Sequence, residues 1–197
     1  MRSGELPPDI EGILTFLRAA ERLKSVTRNA WTSEGERESV AEHTWRLCLM
    51  ALLFAHHFPE ADVARLVKIC IIHDLGEAIG GDIPAPEQDA SAPKAAEERR
   101  HLLQLLEPLP EALRREITGL WDEYEGARTL EARLAKALDK LETIMQHNQG
   151  RNPADFDYRF NLEYGRRFTA GVPLLAAVRE LLDAETERRA VDADRRA

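Results

Sequence analysis

The segment of residues 61–78 constrains the fold most, because it is apolar on almost every side of a helix. Its apolar side chains point in all directions around the helix axis: Leu66, Ile69, Cys70, Ile71 and Ile72. A helix that is hydrophobic all round is buried in a larger core or in a membrane. The segment has only eighteen residues and carries charged residues near its ends, which favours burial in a protein core over a membrane span. The sequence therefore predicts that this helix lies at the centre of the fold.

Helical spacing of apolar residues also dominates the rest of the 197-residue chain. Helices are predicted at residues 10–24, 39–57, 61–78, 94–106, 110–124, 129–149, 154–169 and 173–190, the first capped by Asp9. The alternating pattern that is typical of strands is absent. Residues 80–93 contain three prolines and predict a loop that could act as a lid or a binding loop. The tail, residues 191–197, is expected to fray.

The predicted architecture is therefore all-α, a single helical-bundle domain over residues 1–197. Its core is expected to span about residues 10–170, a usual size for one domain. The last helix, at about residues 173–190, is either an appendage or part of a dimer interface. No internal repeat or low-complexity linker divides the chain.

Composition restricts the classes of partner and the compartment. The 27 lysines and arginines are outnumbered by 35 aspartates and glutamates, which gives a formal net charge of −8 and argues against a nucleic-acid polymer as partner. Cys48 and Cys70 lie in apolar stretches and are interpreted as core residues of a reducing compartment. The longest apolar run, residues 47–55, is too short to cross a membrane, and no signal peptide is recognised, so we expect a cytoplasmic protein.

Polar residues on the core face of two predicted helices suggest a metal site. His73 and Glu77 continue the face of Leu66 and Cys70, and Asp74 follows His73 directly. In the helix before it, His43 lies on the face of Leu47 and Met50 and should also point inward. Burying imidazoles and carboxylates is costly unless their charge is compensated, and a divalent cation would compensate it.

A fourth candidate ligand, Asp139, lies at the core boundary of the predicted helix 129–149. Taken singly, each residue has a simpler explanation: His43 as a hydrogen-bonded core histidine, and Asp139 as a salt-bridged or solvated acid. Two imidazoles and two carboxylates taken together suit a divalent ion such as Mn, Co, Fe, Ni or Mg, while Zn remains open. One divalent ion per chain is the predicted cofactor.

The pattern H…HD…D, formed by His43, His73-Asp74 and Asp139, resembles the metal signature of the HD-domain phosphohydrolases. Three blocks carry the likeness further: ESVAEH, HDLGEAIGGDIPA and ALDKLETIMQ. They resemble the YfbR-like 5′-deoxynucleotidases and the HD domain-containing protein 2 group. The resemblance covers roughly residues 10–170. It implies that the four residues of the pattern are the metal ligands.

The resemblance also implies roles for five further residues. Glu77 matches the acid that activates the attacking water, Asp82 a second acid near the scissile ester, and Arg28 the arginine that holds the phosphate. Where the bacterial enzymes have a tryptophan directly after that arginine, this chain has Asn29, with Trp31 two positions later. Asn29 and Trp31 are therefore candidate substrate-binding residues, and the preference for deoxyribose stays open.

Simpler explanations exist for these residues as well. Glu77 could be a last-turn acid, Asp82 a turn cap and Arg28 a solvated loop charge. A second metal ion is not expected, because dinuclear relatives need histidines between Asp74 and Asp139, where this chain has only His101.

The leading hypothesis is a metal-dependent phosphomonoesterase that converts (deoxy)nucleoside 5′-monophosphates to nucleoside and phosphate. One alternative is an HD phosphohydrolase for another ester, a nucleoside triphosphate or a cyclic nucleotide. Another is a non-catalytic nucleotide-binding regulatory module. Helical HD proteins of this type often pair, so a homodimer is expected.

Overall fold

The computed structural model describes residues 6–83 and 94–195 of the chain. Within them lie ten α-helices: α1 (Ile10–Ala20), α2 (Val40–Phe54), α3 (Val63–Ile72), α4 (Glu77–Gly80), α5 (Lys94–Leu106), α6 (Glu111–Gly126), α7 (Leu130–Gln149), α8 (Phe160–Glu163), α9 (Arg166–Thr169) and α10 (Pro173–Asp194). One small sheet pairs β1 (Thr27–Trp31) with β2 (Arg37–Ser39). The all-α class predicted from the sequence is confirmed.

Helix α7 occupies the centre of the fold and packs against α2, α3, α6, α9, α10 and β1. Most of its side chains are buried, including the charged Asp139 and Glu142. Helix α3 packs against α2, α6 and α7 but keeps one open side, where Ile71 is 50% exposed. The prediction that the segment 61–78 is central was therefore wrong, since a large apolar residue can remain on the surface.

The predicted helix 61–78 is also interrupted at the point where its polar residues begin. Helix α3 ends at Ile72, and the following backbone N–H groups of Leu75, Glu77 and Ala78 bond to carbonyls three residues back. The indole N–H of Trp121 donates to the carbonyl of His73 at 3.1 Å, the carbonyl that an uninterrupted helix would pair with Glu77. This tight turn places His73 and Asp74 at the end of α3 rather than within it.

A β-hairpin that the sequence did not predict precedes α2. Thr27 pairs with Ser39 and Trp31 with Arg37 in an antiparallel register. The connecting turn contains Gly35 at φ 91°, a backbone conformation that favours glycine. Charged residues occupy both short strands, so the alternation that identifies a strand from sequence is missing.

The start of α2 is fixed by a capping box. The Ser39 hydroxyl accepts from the backbone N–H of Glu42, and the Glu42 carboxylate accepts from the backbone N–H of Ser39 at 2.7 Å. By contrast, Asp9 makes no side-chain cap on α1, so its predicted role was wrong. The capping box places His43 in the first turn of α2, facing the core.

The C-terminal region differs from the prediction in two respects. The predicted helix 154–169 is two short helices, α8 and α9, separated at Gly165, whose φ is +65°. Helix α10 continues to Asp194, so the expected fraying of residues 191–194 was wrong. It packs along α7 and supplies the buried Arg179, which donates to backbone carbonyls of α8.

Three remaining expectations bear on the compartment and the loop. Cys48 and Cys70 are both free thiols; Cys70 is buried and Cys48 half-buried. None of the helices in the described ranges is long and apolar enough to cross a membrane. Residues 84–93 of the expected lid or binding loop lie outside the described residues.

Candidate metal centre

The four residues of the H…HD…D pattern meet at one point. His43 comes from α2, His73 and Asp74 from the end of α3, and Asp139 from α7. The His73 Nε2 atom lies 2.9 Å from Asp74 Oδ2. The His43 Nε2 atom lies 3.3 Å from Asp139 Oδ1 and 3.9 Å from Asp74 Oδ2. Three helices thus bring two imidazoles and two carboxylates within reach of a single ion.

The two imidazoles are arranged as metal ligands. Nδ1 of His73 lies 2.8 Å from the carbonyl of Cys70, and Nδ1 of His43 contacts the Glu142 carboxylate. In the neutral imidazoles, these contacts favour the tautomer that carries its proton on Nδ1 and leaves the Nε2 lone pair for a metal ion. Both Nε2 atoms are buried, and neither makes a hydrogen bond within the described part of the chain. A divalent cation would satisfy both.

The two carboxylates are ionised at neutral pH, as metal ligands must be. Burial alone would raise the pKa of Asp74, but the contacts with His73 and His43 lower it to about 2. Burial would also raise the pKa of Asp139, yet Lys140 and His43 hold it well below its usual range. The ligand atoms of His43, His73 and Asp139 all lie within 4.8 Å of one another, close enough to surround one ion.

Glu142 is a residue of the site that was not predicted from the sequence. Its fully buried carboxylate contacts His43 Nδ1 on one oxygen and accepts from Arg46 Nε at 2.7 Å on the other. It lies one turn after Asp139 on the same face of α7, and that spacing is the signal that could have identified it. Glu142 therefore orients a candidate metal ligand.

Replacing Glu142 with Gln should weaken metal binding by about 10- to 100-fold, the usual cost of losing an outer-shell partner of a ligating histidine. The shape of the side chain is retained, but the charge that holds the His43 imidazole is lost. Calorimetric titration of the metal-free variant with Mn²⁺ measures the effect. Glu187→Gln, an exposed acid on α10, is the control. Equal affinity in E142Q and wild type would show that Glu142 does not support His43.

The same carboxylate should make the metal-free protein sensitive to acid. Burial alone would raise the pKa of Glu142, but His43 and then Arg28 and Arg46 lower it to about 2 from 4.5. The ionised form then stabilises the fold above pH 4.5, and this contribution is lost as the pH falls from 4.5 towards 2. We expect the free energy of unfolding to drop by on the order of 2 kcal/mol over this range.

Urea unfolding of chelator-treated protein at pH 5.5 and pH 3 measures this drop. Glu142→Gln should show a shallower decline than wild type, because the amide does not titrate. An equally steep decline in both proteins would assign the acid sensitivity to other groups.

Arg28 lies beside the site, on β1. Its Nη1 atom is 2.9 Å from Glu38 Oε2 and 3.5 Å from Glu142 Oε2, and its Nη2 atom donates to Thr143 Oγ1 at 2.9 Å. The guanidinium has five N–H donors, so these contacts leave others for a ligand in the cleft that Arg28 lines. The simpler explanation of Arg28 as a solvated loop charge is wrong, because only 12% of its side chain is exposed.

The other predicted substrate residues surround the same cleft, a cavity of about 1170 Å³. Glu77 and Asp82 line it together with His73, Asp74 and Asp139, and so do Asn29 and Trp31. Glu77 is buried, although the sequence left open a role as an ordinary last-turn acid. Asn29 is exposed on the hairpin, and the Trp31 ring contacts Phe156 edge to face. The structure thus brings all nine predicted residues to one site.

Tyr124 is a second residue of the site that was not predicted from the sequence. It is buried, its hydroxyl donates to Asp139 Oδ2 at 2.8 Å, and its ring centroid lies 5.1 Å from that of His73. An aromatic residue at a core position gives no sequence signal for such a bond. Tyr124 therefore helps to orient Asp139.

A second acidic group next to the site, Glu38, His43 and Glu142, already has its own cations. Arg28 pairs with Glu38 and Arg46 with Glu142, so these charges are compensated by protein side chains. His101 lies on α5, where its Nε2 contacts Arg100. The expectation of a single ion per chain stays a prediction.

Comparison with known proteins identifies the family of the chain. Residues 20–175 match the family model described as HD domain. The human 5′-deoxynucleotidase HDDC2 is 34% identical over 139 residues, which cover 70% of this chain and 67% of that protein. The 5′-deoxynucleotidase hdd1 of Schizosaccharomyces pombe is 36% identical over 140 residues, covering 68% of this chain and 70% of that protein.

A solved structure extends the likeness to the whole fold. The crystal structure of a predicted metal-dependent phosphohydrolase from Magnetospirillum magnetotacticum MS-1 has a TM-score of 0.80 and 28% sequence identity. The match covers 94% of this chain and 97% of that one. The chain belongs to the HD domain family, a helical fold of metal-dependent phosphohydrolases.

Proposed function

We propose that the protein hydrolyses nucleoside 5′-monophosphates to nucleoside and phosphate, with one divalent ion held by His43, His73, Asp74 and Asp139. The observation that carries the proposal is the pair of buried Nε2 atoms facing two ionised carboxylates at the base of a cleft. The human and Schizosaccharomyces pombe relatives described above are named 5′-deoxynucleotidases. A preference for 2′-deoxy substrates is proposed from the names of these relatives.

A divalent ion held by these four residues would neutralise phosphate charge and lower the pKa of a bound water towards neutrality. The protein's own groups carry the remaining steps. Arg28 presents N–H donors to the non-bridging phosphate oxygens, which positions the phosphorus over the site. Glu77 takes a proton from the attacking water as the new P–O bond forms. Asp82, in its protonated form, donates a proton to O5′ as the P–O5′ bond breaks.

Product analysis separates this function from its alternatives. The metal-loaded protein is incubated with 2′-deoxy and ribonucleoside monophosphates, with dATP and with a cyclic nucleotide. Inorganic phosphate released from the monophosphates supports the proposal. Pyrophosphate or tripolyphosphate from dATP, or ring opening of the cyclic nucleotide, would assign the site to another ester. Tight nucleotide binding without any product would indicate a regulatory module.

The proposal includes a homodimer. Four large apolar residues of α2 lie on one face at helical spacing and are exposed in the single chain: Trp45, Leu49, Leu52 and Leu53. Trp45 is 68% exposed, and exposing so much apolar surface to water is unfavourable unless another protein surface covers it. The expected cytoplasmic location remains a prediction, which the two free thiols support.

Light scattering during size exclusion tests the dimer. The wild type should have twice the mass of one chain, and Trp45→Glu should shift it to the mass of a monomer. Glu187→Gln, a change on the exposed side of α10, should leave the mass unchanged. A monomeric wild type would contradict this part of the proposal.

A further inference from the structure

One partly buried cation of the cleft, Lys140, has no part in the steps described above. Lys140 follows Asp139 on α7, lines the cleft, and has only 21% of its side chain exposed. Its Nζ atom lies 2.8 Å from Asp139 Oδ2 and 3.1 Å from the hydroxyl of Tyr164. Removing an ammonium from water costs free energy unless a group of opposite charge lies next to it. The Lys140 ammonium beside Asp139 therefore needs a compensating anion.

A bound metal ion would compete with Lys140 for the negative charge of Asp139. Its Oδ2 atom already accepts from Tyr124 and Lys140, and Oδ1 faces His43 Nε2. A divalent ion held by this carboxylate would take up much of its negative charge. The positive charge of Lys140 is then left for another anion.

The position of Lys140 fits a phosphate held between two cations. Within the described residues, Asp139 and Tyr164 accept two of its three N–H donors, which leaves one for the cleft. Arg28 reaches the same turn of α7, because its Nη2 atom donates to Thr143, whose hydroxyl donates to the carbonyl of Asp139 at 3.0 Å. Lys140 and Arg28 therefore approach Asp139 along one helical turn.

We propose that Lys140 is a second phosphate-binding residue, which contacts the substrate's phosphate from the side of Asp139 while Arg28 contacts it from the side of Thr143. This inference rests on the proposed function for the identity of the substrate, but not for the presence of the anion. Lysine binds phosphate as a point charge, whereas arginine adds directed donors. The two residues would divide these tasks.

Tyr164 orients the ammonium in this arrangement. It lies between α8 and α9, and its carbonyl accepts from Arg179 Nη1 at 2.7 Å, a contact supplied by the last helix. The Lys140 Nζ atom also lies 5.1 Å from the centroid of the Tyr164 ring. Helix α10 thus supports the cleft through the segment that carries Tyr164.

The test measures binding of inorganic phosphate and of Mn²⁺ separately, by calorimetry, so that no turnover is required. Lys140→Met should weaken phosphate binding to the Mn²⁺-loaded protein by about 10- to 100-fold, the range for a lost hydrogen bond to a charged group. Mn²⁺ binding itself should be unchanged or tighter, because a neighbouring positive charge is removed. Lys140→Arg should recover part of the phosphate affinity, and Tyr164→Phe should lower it several-fold.

Lys136 provides a matched control. It lies one turn earlier on α7 and lines the same cleft, but its Nζ atom is paired with Glu125 at 2.8 Å and lies over the ring of Tyr124. Lys136→Met should leave phosphate affinity nearly unchanged.

Three results would overturn the assignment. The first is a Lys140→Met protein that binds phosphate as tightly as wild type. The second is an equal loss of phosphate affinity in Lys136→Met, which would show that any positive charge in the cleft has the same electrostatic effect. The third is a parallel loss of Mn²⁺ and phosphate affinity in Lys140→Met. That result would show that Lys140 only positions Asp139 and does not contact the phosphate. A wild type that binds phosphate but hydrolyses no nucleotide would overturn only the proposed function.

Discussion

Asp139→Asn is expected to abolish both metal binding at micromolar Mn²⁺ and nucleotide hydrolysis. The change retains the size of the side chain but removes the charge that faces His43 Nε2 at 3.3 Å. It also leaves Lys140 without the carboxylate that compensates it. Since the ion supplies both charge neutralisation and activated water, we expect phosphate release to fall by at least about 10³-fold. Replacing His73 with Ala should have a similar effect.

The measurement combines metal analysis of the purified variant with phosphate release from dAMP. Asp192→Asn changes an exposed acid at the end of α10 and should match wild type in both. Circular dichroism distinguishes loss of the ion from loss of the fold. An Asp139→Asn protein that retains one ion per chain and substantial turnover would show that the ion, if any, is held elsewhere.

Glu77→Gln should separate chemistry from binding. Glu77 is buried at the start of α4 and lines the cleft with the candidate ligands, but it is not one of them. The amide cannot take a proton from water, so kcat should fall by about 10²–10⁴-fold, the usual contribution of a general base. The affinity for Mn²⁺ and the KM for dAMP should change little.

Steady-state kinetics of Glu77→Gln, with Mn²⁺ affinity measured in parallel, tests this role. Near-normal kcat with metal bound would exclude Glu77 as the base. Loss of the metal together with kcat would instead make Glu77 a ligand. Asp82→Asn tests the proposed general acid in the same assay. It should lower kcat most for substrates whose leaving group needs a proton.

The sequence predicted those parts of the fold that depend on helical periodicity. The long helices α2, α5, α6 and α7 begin and end within a few residues of the expected positions. The inward direction of His43 and Asp139 also follows from spacing, because residues four and seven positions apart share a helix face. The hairpin was missed because its strands carry charged residues on both sides and depend on neighbouring contacts, such as the bond from Arg37 to the carbonyl of Arg28.

The partners of the candidate ligands could not be predicted, since they depend on contacts between segments distant in sequence. Trp121 ends the helical bonding before Glu77 by occupying the carbonyl of His73. Tyr124 and Lys140 look like ordinary core and boundary residues until the fold brings both to one oxygen of Asp139. Of the nine site residues assigned by resemblance, eight line one cleft, and the ninth, His43, contacts Asp139 at the wall of that cleft. Their roles are predictions.

The most direct test of the central claim is a titration of the metal-free protein with Mn²⁺ while phosphate release from dAMP is followed. The account predicts no hydrolysis without the ion, a linear rise with added Mn²⁺, and a plateau at one equivalent per chain. The same titration with Co²⁺ should have the same end point, because the site offers nitrogen and oxygen ligands that both ions accept. Undiminished hydrolysis by the metal-free protein, or a plateau at two equivalents, would contradict it.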